Sequence, residues 1–578
     1  MPVELQIVAM ESKPSGNMID KMAGKSLWLP FLYVIAASAL AHLWCLGSQF
    51  YMDDSGVSES SALREGRFWD NTLTSWTCFG YVLQYKLFGM SAVAFHAVNW
   101  LLHTAVACVL FGFGRDFLRD RMAAGVALFA ALLFAVHPLG SEIPNYMRTQ
   151  DLAWVTLFSL LASWALLLFL RDGGWKKWIW VGLGVVGATL SKGPGIFHVF
   201  MMITAVGLAF MTPAHWKILR RGKWVFGAVV LSIFTVLWFS GIVTRLWRGT
   251  ELWDEPRFIG HAYTVARVFW EFAWRAVIPV ALSADHQIAE TLVPPGSGWF
   301  NVPDKTAMFA AAAMLLLTAA SLWLAWRKST RLFGVCLFLF VATMLFRVLY
   351  LIPEFMPEYR IYPGLPWFCL AAAIALAGAW KFCLGGLSPR IPVIILLLVF
   401  VAMSARRSFA WHDLDILMAD VLKQYPAQAR AIWELQDRDA AAGEWQKVID
   451  RQRKSWPVVY KQFMDENQRL SPRRELPSGH FALADIACRG QYALAMSHTA
   501  GSNVGLAEIQ RMELYMRQLR LDPVAHAIHW RYFFRAKVRV LEHAGKFQAA
   551  YNLMEQQKFQ NHSREDVERI KQKLKLGL

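Results

Sequence analysis

The chain is poor in charge. Asp, Glu, Lys and Arg make up 17% of its 578 residues, against roughly a quarter in an ordinary soluble domain. Residues 27–47, SLWLPFLYVIAASALAHLWCL, carry no charged side chain at all. A helix of that length crosses a hydrocarbon core of about 30 Å. Its apolar length exceeds the core of a cleaved leader, about 7–15 residues, and further apolar runs follow, so it reads as a retained anchor. Cysteine is scarce as well, with seven residues and no CxxC spacing. Cys45, Cys108, Cys336 and Cys369 lie in or beside apolar runs and read as small hydrophobes, which argues against a disulfide framework. Acidic residues number 42 against 59 basic ones, a net charge of +17. In a soluble protein that balance would suggest nucleic acid. Here much of the basic charge falls in short links between apolar runs, as the positive-inside rule requires, and no nucleic-acid partner is expected.

What the chain has instead is apolar surface: 56% hydrophobic residues, 27 Trp and 39 Phe, and a mean hydropathy of +0.33. Aromatic side chains gather at bilayer interfaces. The runs predict about eleven spans, near 27–47, 92–113, 122–137, 151–170, 177–192, 195–212, 224–243, 306–326, 332–352, 362–381 and 391–405. Basic links at Arg115–Arg121, Arg171–Lys177, His215–Lys223, Arg327–Arg331 and Lys381–Arg390 alternate with the other loops. They share a side with the tail carrying Lys13, Lys21 and Lys25, which is the expected cytoplasmic side. Loops 48–91, 138–150, 244–305 and 353–361, and the link around Lys192, then face outward. Residues 263–283 carry Arg267, Glu271 and Arg275 on an otherwise apolar face and predict a helix lying in the outer interface.

From residue 406 the apolar runs stop and charged helical periodicity begins. Residues 525–557 read as helix, turn, helix, with the turn at His543-Ala544-Gly545-Lys546, a pattern suited to a TPR-type hairpin. Residues 411–437 and 479–520 give similar helices. The expected organisation is a cytoplasmic tail (1–26), a transmembrane region with outward loops (27–405), and an extracytoplasmic helical region (406–578). The fold class is all-α, a polytopic helical bundle followed by a TPR-like solenoid.

The residues able to carry chemistry lie mostly on the outward side. Asp53 and Asp54 follow the first span. As a solvated turn they do nothing; functionally they offer a general base or ligands for a divalent cation that holds a phosphate. The second outward loop presents His137, Glu142, Arg148 and Asp151. Arg148 has the geometry to bind a phosphate bidentately, or to pair Asp151 or Glu142 structurally. Lys192, in Leu-Ser-Lys-Gly-Pro-Gly, either neutralises a lipid phosphate or snorkels to the interface. The later loops add Asp285, His286, Glu358 and Arg360. His96, Asn99 and His103 share one helix face, suited to interhelical hydrogen bonds more than to a metal. Gly182, Gly184 and Gly187 spell GxGxxG inside an apolar helix with no strand before it, so they point to helix packing rather than dinucleotide binding.

In order, these residues are an acidic pair after span one, Phe95-His96…Asn99…His103, His137-Pro138…Glu142, Lys192-Gly193-Pro194-Gly195, Pro279…Leu282-Ser283…Asp285, and Glu358-Tyr359-Arg360-Ile361-Tyr362-Pro363. The order resembles the transmembrane-and-TPR O-mannosyltransferases and their bacterial relatives, over about residues 25–440. Leu-Ser-Lys-Gly-Pro is also similar to the aminoarabinose-transferase and protein-mannosyltransferase relatives. All share the GT-C fold. The resemblance implies a glycosyltransferase moving a sugar from a polyprenyl phosphate to a protein or glycan acceptor, docked on the C-terminal helical region. It makes Asp53 or Asp54 the catalytic base, with Asp53 favoured, and Glu142 the second-loop acid. Arg148, Lys192 and Arg360 would hold the donor phosphate, with His137, Glu358, Asp285 and His286 around the substrates. Two departures stand out. Trp69-Asp70-Asn71-Thr72-Leu73 lacks the Arg-Pro of many relatives, and Lys192 is followed by Gly193 where they carry Glu; the sugar need not be mannose. Rival readings are a lipid or glycan transporter, or a noncatalytic scaffold. The expected location is a bacterial inner membrane with the site in the periplasm.

Overall fold

The computed structural model describes residues 28–58, 60–69, 74–213, 215, 255–286, 288, 291, 293, 302, 304–349, 356–384, 388–470, 479–518, 527–556 and 564–575. The tail lysines, the expected span 224–243 and residues 70–73 lie outside them. Among the described residues the elements are helices and turns, with no strand.

The first twelve long helices are α1 (Trp28–His42), α2 (Ser75–Phe88), α3 (Ala92–Leu118), α4 (Ala124–Val136), α5 (Gln150–Asp172), α6 (Lys177–Ser191), α7 (Gly195–Phe210), α8 (Glu255–Val277), α9 (Lys305–Trp326), α10 (Arg331–Leu345), α11 (Leu365–Leu384) and α12 (Arg390–Ala410). Six segments are long and apolar enough to cross a bilayer, or seven if α4 and the bent turn after it form one broken span. Three expected spans, α6, α7 and α10, are shorter apolar helices. Large apolar side chains stay exposed on the outside of the bundle, with Phe382 at 92%, Trp326 at 85% and Trp28 at 77%. Contiguous apolar surface of that kind suits lipid, where it costs nothing to leave it uncovered.

Inside the bundle, α5 packs on α3, α6 and α7, and α4 on α1, α3 and α11. Two of the GxGxxG glycines, Gly184 and Gly187, lie where α6 crosses α5, while a Cβ on Gly182 would meet open space. A Cβ on Gly184 would stand 2.7 Å from the Ala162 Cβ, and one on Gly187 2.7 Å from the Phe158 ring. Close helix approach is their use here. The helix expected over 263–283 stops at Val277, because Pro279 disfavours the helical conformation for the residue before it. Its apolar face, with Ile259, Val265, Phe269, Phe272 and Ala276, is buried, while Trp274 and Val277 stay exposed.

Beyond α12 come α13 (Leu414–Gln424), α14 (Ala429–Ala441), α15 (Trp445–Leu470), α16 (Gly479–Ala500), α17 (Ser502–Gln518), α18 (Ala527–His543), α19 (Phe547–Gln556) and α20 (Arg564–Lys575). Asp413 caps α13, its carboxylate accepting the N–H groups of Asp415 at 2.7 Å and Ile416 at 3.2 Å. The α18–α19 turn closes through Gly545 at φ +69°, a left-handed conformation that glycine adopts without strain. Ala550 and Met554 of α19 are then buried with Val538 and Leu541 of α18.

What matters for the site is how α13 and α14 sit. Trp411, Leu414, Leu417, Met418, Val421, Ala431 and Leu435 pack in one cluster with Met52, Tyr146 and Ala284. The helical region therefore lies directly against the first, second and long loops.

Candidate active site

The second loop is a buried irregular segment, so each of its backbone polar groups needs a partner. It runs as three tight turns, Pro138–Gly140, Glu142–Asn145 and Met147–Thr149. Asn99 supplies much of the satisfaction: its amide donates to the carbonyls of Ile143 at 2.9 Å and Tyr146 at 3.0 Å, and its oxygen accepts from Gln150 at 2.8 Å. His96 lies 3.1 Å from the Pro144 carbonyl, and His103 2.9 Å from the Tyr362 hydroxyl. These polar residues of α3 tie the loops to the bundle. His137 does the same. Its Nδ1 accepts the Leu139 N–H at 3.2 Å, which leaves Nε2–H to donate to the Ala276 carbonyl at 2.9 Å. It is fully buried and joins the second loop to the end of α8.

The acidic pair sits on a tight turn, Met52–Asp54. Met52 adopts φ +56° and is buried in the cluster beneath α13 and α14. A non-glycine residue there carries backbone strain on the order of 1–3 kcal/mol, a feature that concentrates at functional sites. The turn sends the two carboxylates to different places. Asp54 is fully buried. Its Oδ1 accepts the Arg148 N–H at 3.0 Å, and its Oδ2 has no hydrogen-bond partner. Burial pushes its carboxyl up to about 8, against the pull of that N–H, and the charge of Asp53 adds to the rise. Asp54 is therefore mostly a neutral acid at pH 7.

Asp53 faces outward, its side chain 46% exposed. Its Oδ1 accepts from Arg430 Nη2 of α14 at 2.8 Å, and its own N–H donates to the Tyr146 hydroxyl at 3.2 Å. Burial alone would raise it. The charges of Arg430 and Arg148 and the hydrogen bonds from Arg430 and Tyr146 outweigh burial, so its carboxyl lies below the ordinary carboxylate value. Tyr146 is held in turn by stacking on Trp411, ring centres 5.5 Å apart. Arg148 is exposed, and among the described residues its guanidinium makes no ion pair or hydrogen bond. Lys192, at the end of α6, pairs with Asp151 at 2.7 Å. Glu434, one turn after Arg430, is pushed up to about 7 by burial.

A second group lies beside the first. Glu358 Oε1 accepts from the Ser283 N–H and from His286 Nε2, both at 2.7 Å, and its Oε2 accepts from Arg407 at 2.7 Å. Arg407 also donates to Ser141 Oγ at 3.0 Å and stands 3.9 Å from Glu142 Oε1. Glu142 Oε2 accepts the Tyr359 N–H at 2.7 Å, while its Oε1 makes no hydrogen bond. His286 Nδ1 meets the Tyr425 hydroxyl at 2.9 Å. One guanidinium thus serves two buried carboxylates, and the group joins the second, long and last of these loops to α12 and α13. Tyr359 links it to the first group, its ring 6.0 Å from that of Tyr146. Arg360 is half-buried, with its guanidinium 5.9 Å from the Tyr359 ring centre, and Asp285 is half-buried as well.

The structure therefore brings Asp53, Asp54 and Arg148 together, and gathers Glu142, Glu358 and His286 into the neighbouring network. His137 sits apart from both, in the apolar junction with α8. The acidic pair does not form a shared cation cradle, since one carboxylate turns to Arg430 and the other to a backbone N–H. Among the described residues no three His, Cys, Asp or Glu side chains converge on one point. Sequence reasoning missed Arg407, Arg430, Tyr146 and Glu434. Arg407 had a signal, an arginine closing an apolar run. Arg430 had none, being one of many charges on an amphipathic helix.

The family described as dolichyl-phosphate-mannose-protein mannosyltransferase matches residues 79–239. A Caenorhabditis elegans protein named as a protein O-mannosyl-transferase is 24% identical over 456 residues, covering 73% of this chain and 61% of the relative. The chain is similar to both over these stretches and spans about three fifths of the length of the C. elegans relative. The family match contains His137, Glu142, Arg148 and Lys192. Asp53, Asp54, Glu358 and Arg360 lie outside it.

Proposed function

We propose that the chain is an integral-membrane glycosyltransferase that moves a sugar from a polyprenyl phosphate to a protein hydroxyl, with Asp53 as the base. The carrying observation is the division of labour in the acidic pair. Asp53 is ionised and half-exposed between two arginines, while Asp54 is buried and neutral. Asp53 Oδ1 accepts from Arg430, and the side chain is 46% exposed, which leaves the carboxylate within reach of an incoming hydroxyl. The acceptor O–H gives its proton to Asp53 as the oxygen bonds the anomeric carbon. The bond from that carbon to the phosphate oxygen breaks, and the lipid phosphate leaves with the electron pair. Arg148 neutralises the charge it carries, which is where preorganised cations contribute most. Lys192 and Arg360 are the next cations for the phosphate, and Lys192 would exchange Asp151 for it. A lipid phosphate leaves without protonation, so no acid is needed. Glu142, Glu358 and His286 hold the loops around the substrates. The site faces away from the basic links, on the extracytoplasmic side, which is the periplasm in a bacterial inner membrane.

The test is sugar transfer by the purified protein from a panel of polyprenyl-phosphate sugars. Asp53→Asn should lower turnover by about 10²–10⁴, and Asp54→Asn should retain most of it. Full turnover in Asp53→Asn would place the base elsewhere.

A further inference from the structure

Where α2 meets α5, three buried polar atoms have no hydrogen-bond partner among the described residues: Gln84 Oε1, Asp151 Oδ1 and Trp154 Nε1. A buried indole N–H or carboxylate oxygen ordinarily finds one. Gly80 marks the place. A Cβ there would stand 3.4 Å from Gln150 Oε1, 3.8 Å from Gln84 Nε2 and 3.9 Å from Trp154 Nε1. The amides are oriented by their other bonds. Gln150 Nε2 donates to Asn99 at 2.8 Å, so its Oε1 accepts from Gln84 Nε2 at 3.1 Å, and Gln84 Nε2 also donates to the Gly80 carbonyl at 2.9 Å. Gln84 Oε1 is left as an unused acceptor. Asp151 lies one turn before Trp154 on α5, with Oδ2 on Lys192 at 2.7 Å and Oδ1 unused. Burial, then the charge of Asp151, push the Tyr81 hydroxyl well above its ordinary value, which sets Asp151 against α2.

One unused donor and two unused acceptors thus share a niche whose floor is a glycine. It adjoins both cations assigned to the donor phosphate. Lys192 stands on Asp151, and the Tyr81 hydroxyl donates to the carbonyl of Met147, the residue before Arg148, at 2.9 Å. A sugar ester-linked to a phosphate held there carries its hydroxyls to this spot. A hydroxyl donates and accepts at once, so it can take the Trp154 N–H and give its own hydrogen to Gln84 or Asp151. Trp76, 37% exposed, stands edge-on to Trp154 with ring centres 5.8 Å apart. It offers apolar surface to the C–H side of a sugar ring. A few polar atoms beside aromatic walls are what fix the orientation of a small ligand.

We propose that the niche between Gly80, Gln84, Asp151 and Trp154 receives a hydroxyl of the donor's sugar and so selects which sugar is transferred. The inference rests on the reading of Arg148 and Lys192 as the cations of the donor phosphate. The experiment uses the full chain in detergent and reads affinity from the ligand-induced rise in melting temperature. The probes are bare polyprenyl phosphate and the polyprenyl phosphates of mannose, glucose, galactose and N-acetylglucosamine. The wild type should separate the best and worst of the four sugars by about fivefold or more, one hydrogen bond's worth. Trp154→Phe keeps the ring and removes the N–H; Gly80→Ala fills the niche with a methyl group and favours the helix. Each should bring the four sugars to within about twofold of one another and leave the affinity for bare polyprenyl phosphate as it was. Trp175→Phe, beyond the far end of α5, should change nothing. Asp53→Asn should abolish transfer and keep the discrimination, so failure of the base and failure of the niche give separate signals. Arg148→Gln should weaken bare polyprenyl phosphate, which tests the phosphate reading by itself. Discrimination that survives in both folded variants overturns the proposal, since the niche would then hold only water. Equal affinity of the wild type for all four sugars, or no binding of any of these lipids, overturns it as well.

Discussion

Asp54→Asn should make the protein more stable, and increasingly so as the pH rises. Asp54 is fully buried, and its carboxyl is raised from 3.8 to about 8. A group raised in the folded state keeps its proton where the unfolded chain has lost it. Its contribution to stability is then fully present below about pH 4 and declines until the pH passes about 8. The interval is about four units, each worth about 1.4 kcal/mol. Full ionisation in place therefore costs on the order of 6 kcal/mol, and at pH 7 the cost is about 4 kcal/mol. Asparagine removes this term. It keeps the oxygen that accepts the Arg148 N–H at 3.0 Å, and its NH₂ replaces an oxygen that has no hydrogen-bond partner. The assay is thermal unfolding of the detergent-solubilised protein, wild type beside variant, from about pH 5 to about pH 8.5. The wild-type melting temperature should fall across that range and the variant's should fall less. A gap that does not widen with pH, or a variant less stable throughout, would refute the burial argument and with it the assignment of Asp54 as the neutral member of the pair.

Arg430→Gln removes the nearest cation from Asp53; its carboxyl should rise, and the acid limb of the kcat/KM profile should move to higher pH while the fold stays intact by circular dichroism. Arg407→Met leaves Glu142 and Glu358 buried without their shared guanidinium, and should cost about 3–5 kcal/mol in denaturant or thermal unfolding. Gly187→Val forces a side chain to within 2.7 Å of the Phe158 ring and should destabilise by about 1–3 kcal/mol, seen as a lower melting temperature without change in donor KM.

The helical character of the chain was legible because hydrophobic periodicity and apolar run length are local properties. Ten of the eleven expected spans fall on described helices, and the turn at His543–Lys546 lies between α18 and α19 as its Gly545 suggested. The packing use of Gly184 and Gly187, and the hydrogen-bonding use of His96, Asn99 and His103, were legible for the same reason. Each is a pattern within one helix.

The site was legible only as a set of candidates. The sequence presents Asp53 and Asp54 as neighbours of the same type. Nothing local says that a positive φ at Met52 will bury one and expose the other, or that a neutral and an ionised acid will result. Arg430 reaches Asp53 from 377 positions away, and Arg407 reaches Glu358 from 49. Run length and periodicity decided which segments are helical and which are apolar enough for a bilayer, because those follow from the solvent each stretch prefers. Burial and charge pairing decided which carboxylate keeps its proton, because those depend on what the rest of the chain brings alongside, and only the tertiary structure does that.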